Sequence, residues 1–291
     1  VEIDELYIEI QANIDEFLSH TKTWFHPRDI WTEYNIKSEE GKRIVRVVLE
    51  DKVVNGELQH EGLKYRAYNR DLREINWFDA DETDYIRMNL PFGLNRYIKL
   101  FSGVVVIAGE TGMGKSAWIM DCIFRNLSFN RPQYLFVNDA KDSELKERII
   151  ALCEKNDCAL PSSDQLVVYE RFDKFGDVIV RDGLNYVDYL DVNAEFYSIG
   201  QEIDDIFRAT GNGLTFIALQ KNPKEAIGVG GIYSIKRSQV YIVLSESEDE
   251  VWFGQLLLKK TRGKVNKTLD PTGWKWGYDI QNGVKFVVQV R

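Results

Sequence analysis

Residues 109–116 read Gly109-Glu-Thr-Gly-Met-Gly-Lys-Ser116 and match the phosphate-loop pattern G-x-x-x-x-G-K-S/T at each fixed position. The flanks extend the match. Upstream, Val104-Val-Val-Ile-Ala108 is the continuous apolar run of a buried parallel strand. Downstream, Ala117-Trp-Ile-Met-Asp-Cys-Ile-Phe-Arg-Asn126 carries apolar residues at helical spacing. A glycine-rich loop between such elements folds around phosphate, because glycine lets successive N–H groups point inward. The helix N-terminus adds partial positive charge. Gly109, Glu110, Thr111, Gly112, Met113 and Gly114 are therefore the expected cradle. Lys115 is expected to reach the β- and γ-phosphates and the Ser116 hydroxyl to ligate Mg²⁺. The chain is expected to bind a nucleoside triphosphate.

The 291 residues suffice for one large domain or two smaller ones, and the balance of 44% hydrophobic and 29% charged residues is that of a soluble globular chain. No apolar stretch approaches the ~20 residues of a membrane span, so no membrane partner is expected. Cys122, Cys153 and Cys158 show no metal-ligand pattern and fit buried thiols in a reducing cytosol. A cytoplasmic or nucleoid-associated location follows as the expectation. The net charge of −9 argues against a surface that coats nucleic acid as a whole, and confines any DNA contact to a local patch. The chain begins at Val1 without an initiator Met, as a fragment of a longer protein would.

Ahead of the loop, Ile3, Leu6, Ile10, Ile14 and Leu18 form a helical stripe opposite an acidic face. A second short helix is expected from Pro27 to about Tyr34, and a third after an N-cap at Ser38. In the third helix, Ile44, Val47 and Val48 would face inward, with Lys42, Arg43 and Arg46 outward. Asn55-Gly56 marks a turn into two short strands around His60-Glu-Gly62. Residues 69–83 show no clear period and read as a linker. From residue 84 onward, strands and helices alternate, which implies a mainly parallel sheet covered on both faces. The expected organisation is a small α+β domain (1–68), a linker (69–83) and an α/β domain (84–291).

Three helices followed by a β-hairpin resemble the winged helix-turn-helix family, in which the third helix reads the DNA major groove. From Lys37 to Arg66 seven basic residues face six acidic ones, which leaves protein docking open beside DNA contact. Lys42, Arg43 and Arg46 are the DNA candidates.

A Mg²⁺-coordinating acid is expected at a strand end opposite Ser116. Asp188, in Leu184-Asn-Tyr-Val-Asp-Tyr-Leu190, is preferred over its rival Asp182. Asp188-Tyr189-Leu190 resembles the Asp-Tyr-Leu signature in the ATPase domain of DnaB-type replicative helicases, which have the RecA fold. The similarity runs over roughly residues 90–265, from Leu90-Pro-Phe-Gly-Leu94 through the phosphate loop to Tyr134-Leu-Phe-Val-Asn-Asp-Ala-Lys-Asp-Ser-Glu-Leu-Lys-Glu-Arg148. In that family the second strand ends in a glutamate that activates water. Asp139 takes its place if Arg148 is matched to the family's arginine, whereas matching from the strand end leaves Ala140 there. Asp is one methylene shorter than Glu, and Asp139 can also be read as the N-cap of a helix starting near Ser143.

Leu214-Thr-Phe-Ile-Ala-Leu-Gln220 is similar to the strand that ends Ala-Leu-Ser-Gln in the family, and Gln220 stands for either polar residue. Lys221 and Lys224 fall where the family has a mobile nucleic-acid-binding loop. Leu256-Leu-Leu-Lys-Lys-Thr-Arg-Gly263 resembles the strand bearing Lys-x-Arg, whose cations reach a neighbour's γ-phosphate in the family's hexamers. Lys260 and Arg262 are the matching positions, and alternation along a strand puts them on one face.

The resemblance implies a RecA-like ATPase using ATP and Mg²⁺ in a nucleic-acid transaction. It also implies a homo-oligomer, whether hexamer or filament. The alternative is an ATP-gated regulator or adaptor with weak hydrolysis, whose N-terminal module docks a protein or DNA partner.

Overall fold

A computed structural model describes residues 2–68, 75, 78–81, 85–129, 131–139, 141–191, 196–281 and 283–290. The chain divides into two units, Val1–Asp79 and Ala80–Arg291, at a point inside the stretch read as a linker.

The first unit contains α1 (Glu2–His20), α2 (Pro27–Glu33) and α3 (Glu39–Val54), followed by the antiparallel pair β1 (Leu58–Glu61) and β2 (Lys64–Ala67). Local chemistry sets the helix starts. His26 accepts the Arg28 N–H on Nδ1, Asp29 accepts the His26 N–H, and Pro27 occupies the first turn. Ser38 Oγ accepts the Gly41 N–H at 3.1 Å and starts α3. The core joins Ile10, Ile14 and Phe17 of α1 to Ile44, Val45, Val48 and Leu49 of α3. Val47, expected inside, is 44% exposed, and Val45 is buried in its stead. Positions 44, 45, 48 and 49 share one helical face, and 47 lies off it.

The second unit opens with a 3₁₀ helix (Pro91–Arg96), then β3 (Ile98–Lys99), β4 (Gly103–Gly109), α4 (Lys115–Phe124), β5 (Gln133–Val137), α5 (Asp142–Asn156) and β6 (Leu166–Glu170). It continues through β7 (Leu184–Leu190), α6 (Phe196–Thr210), β8 (Leu214–Gln220), α7 (Ile232–Lys236), β9 (Ser238–Glu246), β10 (Gly254–Thr261), β11 (Gly263–Lys264), β12 (Lys275–Gln281) and β13 (Lys285–Val290).

Among the described residues, nine strands form one sheet in the order β13-β12-β10-β9-β4-β8-β7-β5-β6. The strands from β9 to β6 run parallel, and β10, β12 and β13 add an antiparallel edge. Both faces are covered, which is why β4 is apolar at every position. Val105 and Ile107 pack against α4, whereas Val104, Val106 and Ala108 join the core of α6. The carboxyl ends of β4, β5, β7 and β8 therefore meet at one edge, where ligands of open α/β sheets bind. Among the described residues, no helix is long and apolar enough to cross a membrane.

Candidate functional site

β4 is buried along its length and delivers Gly109 to the carboxyl edge of the sheet. The chain then turns through Gly112 (φ +80°) and Gly114 (φ +89°), conformations that disfavour any side chain, before α4 starts at Lys115. The Lys115 side chain folds back over this turn. Its Nζ donates to the carbonyls of Gly109 and Glu110, both at 2.9 Å, and to Gln220 Oε1 at 3.1 Å. Burial pulls this ammonium below the ordinary lysine range, against the attraction of Asp188, Asp139 and Glu110.

Ser116 Oγ donates to Asp188 Oδ1 at 3.0 Å. Burial pushes the Asp188 carboxyl up to about 6; the Ser116 hydrogen bond opposes this and repulsion from Asp139 adds to it. The Ser116 hydroxyl and the Asp188 carboxylate are oxygen ligands of the kind a small hard cation such as Mg²⁺ takes. The rival acid lies elsewhere. Asp182 precedes β7 at its amino end, and its Oδ1 accepts the Asn212 N–H at 2.6 Å. It stabilises a turn far from Ser116.

Asp139 is exposed and lines one cavity with Lys115, Ser116 and Arg148. It does not cap the following helix: α5 starts at Asp142, its N-cap is Lys141, and no side chain caps it. Ala140 lies outside the described residues. The cavity measures about 580 Å³, within the usual range for small-molecule sites. Its polar lining sits at the phosphate loop, while Met120, Leu152, Phe253, Ile280 and Val284 supply an apolar side.

Gln220 ends β8 opposite Gly109 in register, so its amide reaches the loop, donating to Thr111 Oγ1 at 3.0 Å while accepting from Lys115. Lys221 was expected to face nucleic acid. It is instead 3% exposed and pairs with Glu110 at 2.6 Å, because the β8 tip lies beside the loop and turns this side chain inward. Lys224 is exposed.

Lys260 and Arg262 come together on one side of the chain: Lys260 and Thr261 pair with Tyr241 and Val240, and the Arg262 N–H donates to Gln239 O at 2.9 Å. The β9–β10 register slips between Leu258 and Lys260, and Arg262 follows the end of β10. Lys260 Nζ donates to the carbonyls of Ile235 and Lys236 at 2.7 and 3.3 Å, and Arg262 reaches Lys236 O at 3.4 Å. Both cations thus sit at the carbonyl end of α7, where the helix dipole favours them. In the first unit, Lys42 pairs with Glu39, Arg46 lies 5.2 Å from the centre of the Trp31 ring, and Arg43 is exposed.

Two contacts were not foreseen: the Glu110–Lys221 pair, and a hydrogen bond of 2.8 Å from the Tyr278 hydroxyl to the Met113 carbonyl. Alternation of Trp276, Tyr278 and Ile280 marks one face of a strand, but it carries no signal pointing to a loop so distant in sequence.

No protein-family model and no curated protein sequence matches the chain. Among solved structures, it is similar to a KaiC-like protein from the hyperthermophilic archaeon Pyrococcus horikoshii OT3. The TM-score is 0.51 at 15% identity, over 70% of this chain and 98% of the other. At that identity the likeness speaks to architecture alone: the chain contains a RecA-like α/β fold with a mostly parallel sheet.

Proposed function

We propose that this chain binds and hydrolyses ATP with Mg²⁺ as a RecA/DnaB-like ATPase in a nucleic-acid transaction, working as a homo-oligomer in the cytoplasm or on the nucleoid. The observation that carries this is the arrangement at the carboxyl edge of the sheet. Lys115 and the hydrogen-bonded pair Ser116–Asp188 stand around the turn at Gly112 and Gly114. Residues 109–116 would cradle the phosphates, Lys115 would offset their charge, and Ser116 with Asp188 would hold Mg²⁺. Bound Mg²⁺ supplies electrostatic stabilisation of the phosphate oxygens. Asp139, which lines the same cavity, would orient water, and Gln220 would couple the loop to the β8 tip. Calorimetric titration with Mg·ATP tests this. The parent should bind and Lys115→Ala should lose at least ~10-fold in affinity or turnover. Normal binding and turnover by Lys115→Ala would sink the assignment.

An ATP-gated regulator or adaptor is the second reading, favoured by the inward pairing of Lys221 and by the short Asp139. In that case the winged-helix-like first unit docks a protein or DNA through the α3 face bearing Arg43 and Arg46. Turnover stimulated by single-stranded DNA supports the motor. Tight ATP binding with negligible turnover supports the adaptor.

A further inference from the structure

We infer that Tyr278 is a positioning residue for the phosphate loop, holding the Met113–Gly114 peptide so that the Gly114 N–H faces bound phosphate. The inference rests on the nucleotide reading above and adds to it a residue that lies in no recognised motif.

Tyr278 lies on β12 with its side chain wholly buried, and its hydroxyl donates to Met113 O at 2.8 Å. A trans peptide is planar, and its carbonyl opposes the N–H of the next residue. Fixing the Met113 carbonyl toward β12 therefore turns the Gly114 N–H the other way. Gly112, Gly114 and Lys115 line the cavity, while the Met113 side chain is in the core. Without the hydroxyl, a carbonyl in this buried setting loses its partner, and rotation of the peptide becomes the way to recover one. Rotation would aim the carbonyl dipole at the phosphates and remove one donor from the cradle.

The surroundings hold Tyr278 in place. Its ring meets Phe92 edge-on at 5.5 Å and Phe286 at 5.3 Å. Gly254 lies opposite Tyr278 in the β10–β12 register, and a Cβ there would come within 2.5 Å of the ring and 2.6 Å of the hydroxyl. A Cβ on Gly114 would meet Ile280 Cδ1 at 2.5 Å, so β12 lies directly against the turn. Two glycines far apart in sequence thus leave room for the same strand. Burial also pushes the Tyr278 hydroxyl well above its ordinary range, which keeps it protonated and a donor.

Tyr278→Phe keeps the ring and removes only the donor. Calorimetry should show its Mg·ATP affinity reduced about 10-fold, the scale of one lost hydrogen bond. A second measurement separates positioning from general loosening. In the parent, the Gly114 amide proton should move downfield when Mg·ATP is added, as an N–H that binds phosphate does; in Tyr278→Phe that movement should be much reduced. Phe92→Leu disturbs the same aromatic cluster without touching the hydrogen bond. It should lower the thermal midpoint yet keep the Gly114 movement. Parent-like affinity in Tyr278→Phe overturns the inference. So does reduced affinity with the Gly114 movement intact, or loss of that movement in Phe92→Leu as well. Failure of the parent itself to bind Mg·ATP removes the nucleotide reading, and the inference with it.

Discussion

Asp188 holds an ionisable carboxyl at 5% exposure, and burial pushes it up to about 6 from an ordinary 3.8. The folded state thus grips this proton more tightly than the unfolded chain does. Its contribution to stability is fully present below pH ~4 and is lost as pH rises through ~6, above which burial opposes the charge more than Ser116, Arg148 and Lys115 favour it. Asp188→Asn removes the charge. In chelator at pH 7.5 the variant should be more stable than the parent by on the order of 2 kcal/mol, and the advantage should shrink by pH 5. Urea denaturation at the two pH values checks this, and a pH-independent difference would contradict it. The same variant should lose Mg²⁺-dependent turnover. Asp182→Ala should keep turnover and lose about 1 kcal/mol of stability, because Asp182 accepts the Asn212 N–H. Equal losses of turnover in both variants would overturn the choice of Asp188.

At the scale of elements, the β8 tip is tied to the phosphate loop twice, through Gln220 to Thr111 and Lys115, and through Lys221 to Glu110. Lys221→Ala leaves the Glu110 carboxylate, itself only 18% exposed, without its cation. The variant should lose about 2 kcal/mol or more in thermal or urea unfolding, whereas Lys224→Ala should be close to neutral. A neutral Lys221→Ala would show that the pair carries no weight. These ties also mark what sequence can convey. The run 104–108, the glycine spacing of 109–116 and the Ser38 cap each report a local requirement, so strand, turn and helix could be read directly. Asp188 was separable from Asp182 only by its neighbours Tyr189 and Leu190. The partners of Lys221, Lys260 and Tyr278 depend on strand register between segments far apart. Periodicity tells which face a side chain takes, not what stands opposite. Lys260 and Arg262 show the difference: alternation sets them on one side, but the α7 carbonyls that both meet there could not be read from it.

For the whole molecule, the placement of those two cations decides what unit could be active. Thr261 pairs with Val240, and Val240 with Val105, four residues before Gly109, so Lys260 and Arg262 stand about 13 Å of strand below the phosphate loop of their own chain. Any role at a γ-phosphate must then be played in a neighbour's site. If that is their role, Arg262→Ala should retain ATP binding and lose turnover, because such a cation acts on the transition state. Its loss as a helix-end contact alone would lower stability by ~0.5 kcal/mol and spare turnover. Mixing Arg262→Ala with Lys115→Ala protein should restore partial activity, since an intact cation from the second meets an intact phosphate loop in the first. Turnover of the mixture and light scattering with Mg·ATP measure this together. Recovery with an oligomeric mass supports the shared site. No recovery and a monomeric mass would leave Lys260 and Arg262 as the cap of α7, and would shift the preference to the ATP-gated adaptor.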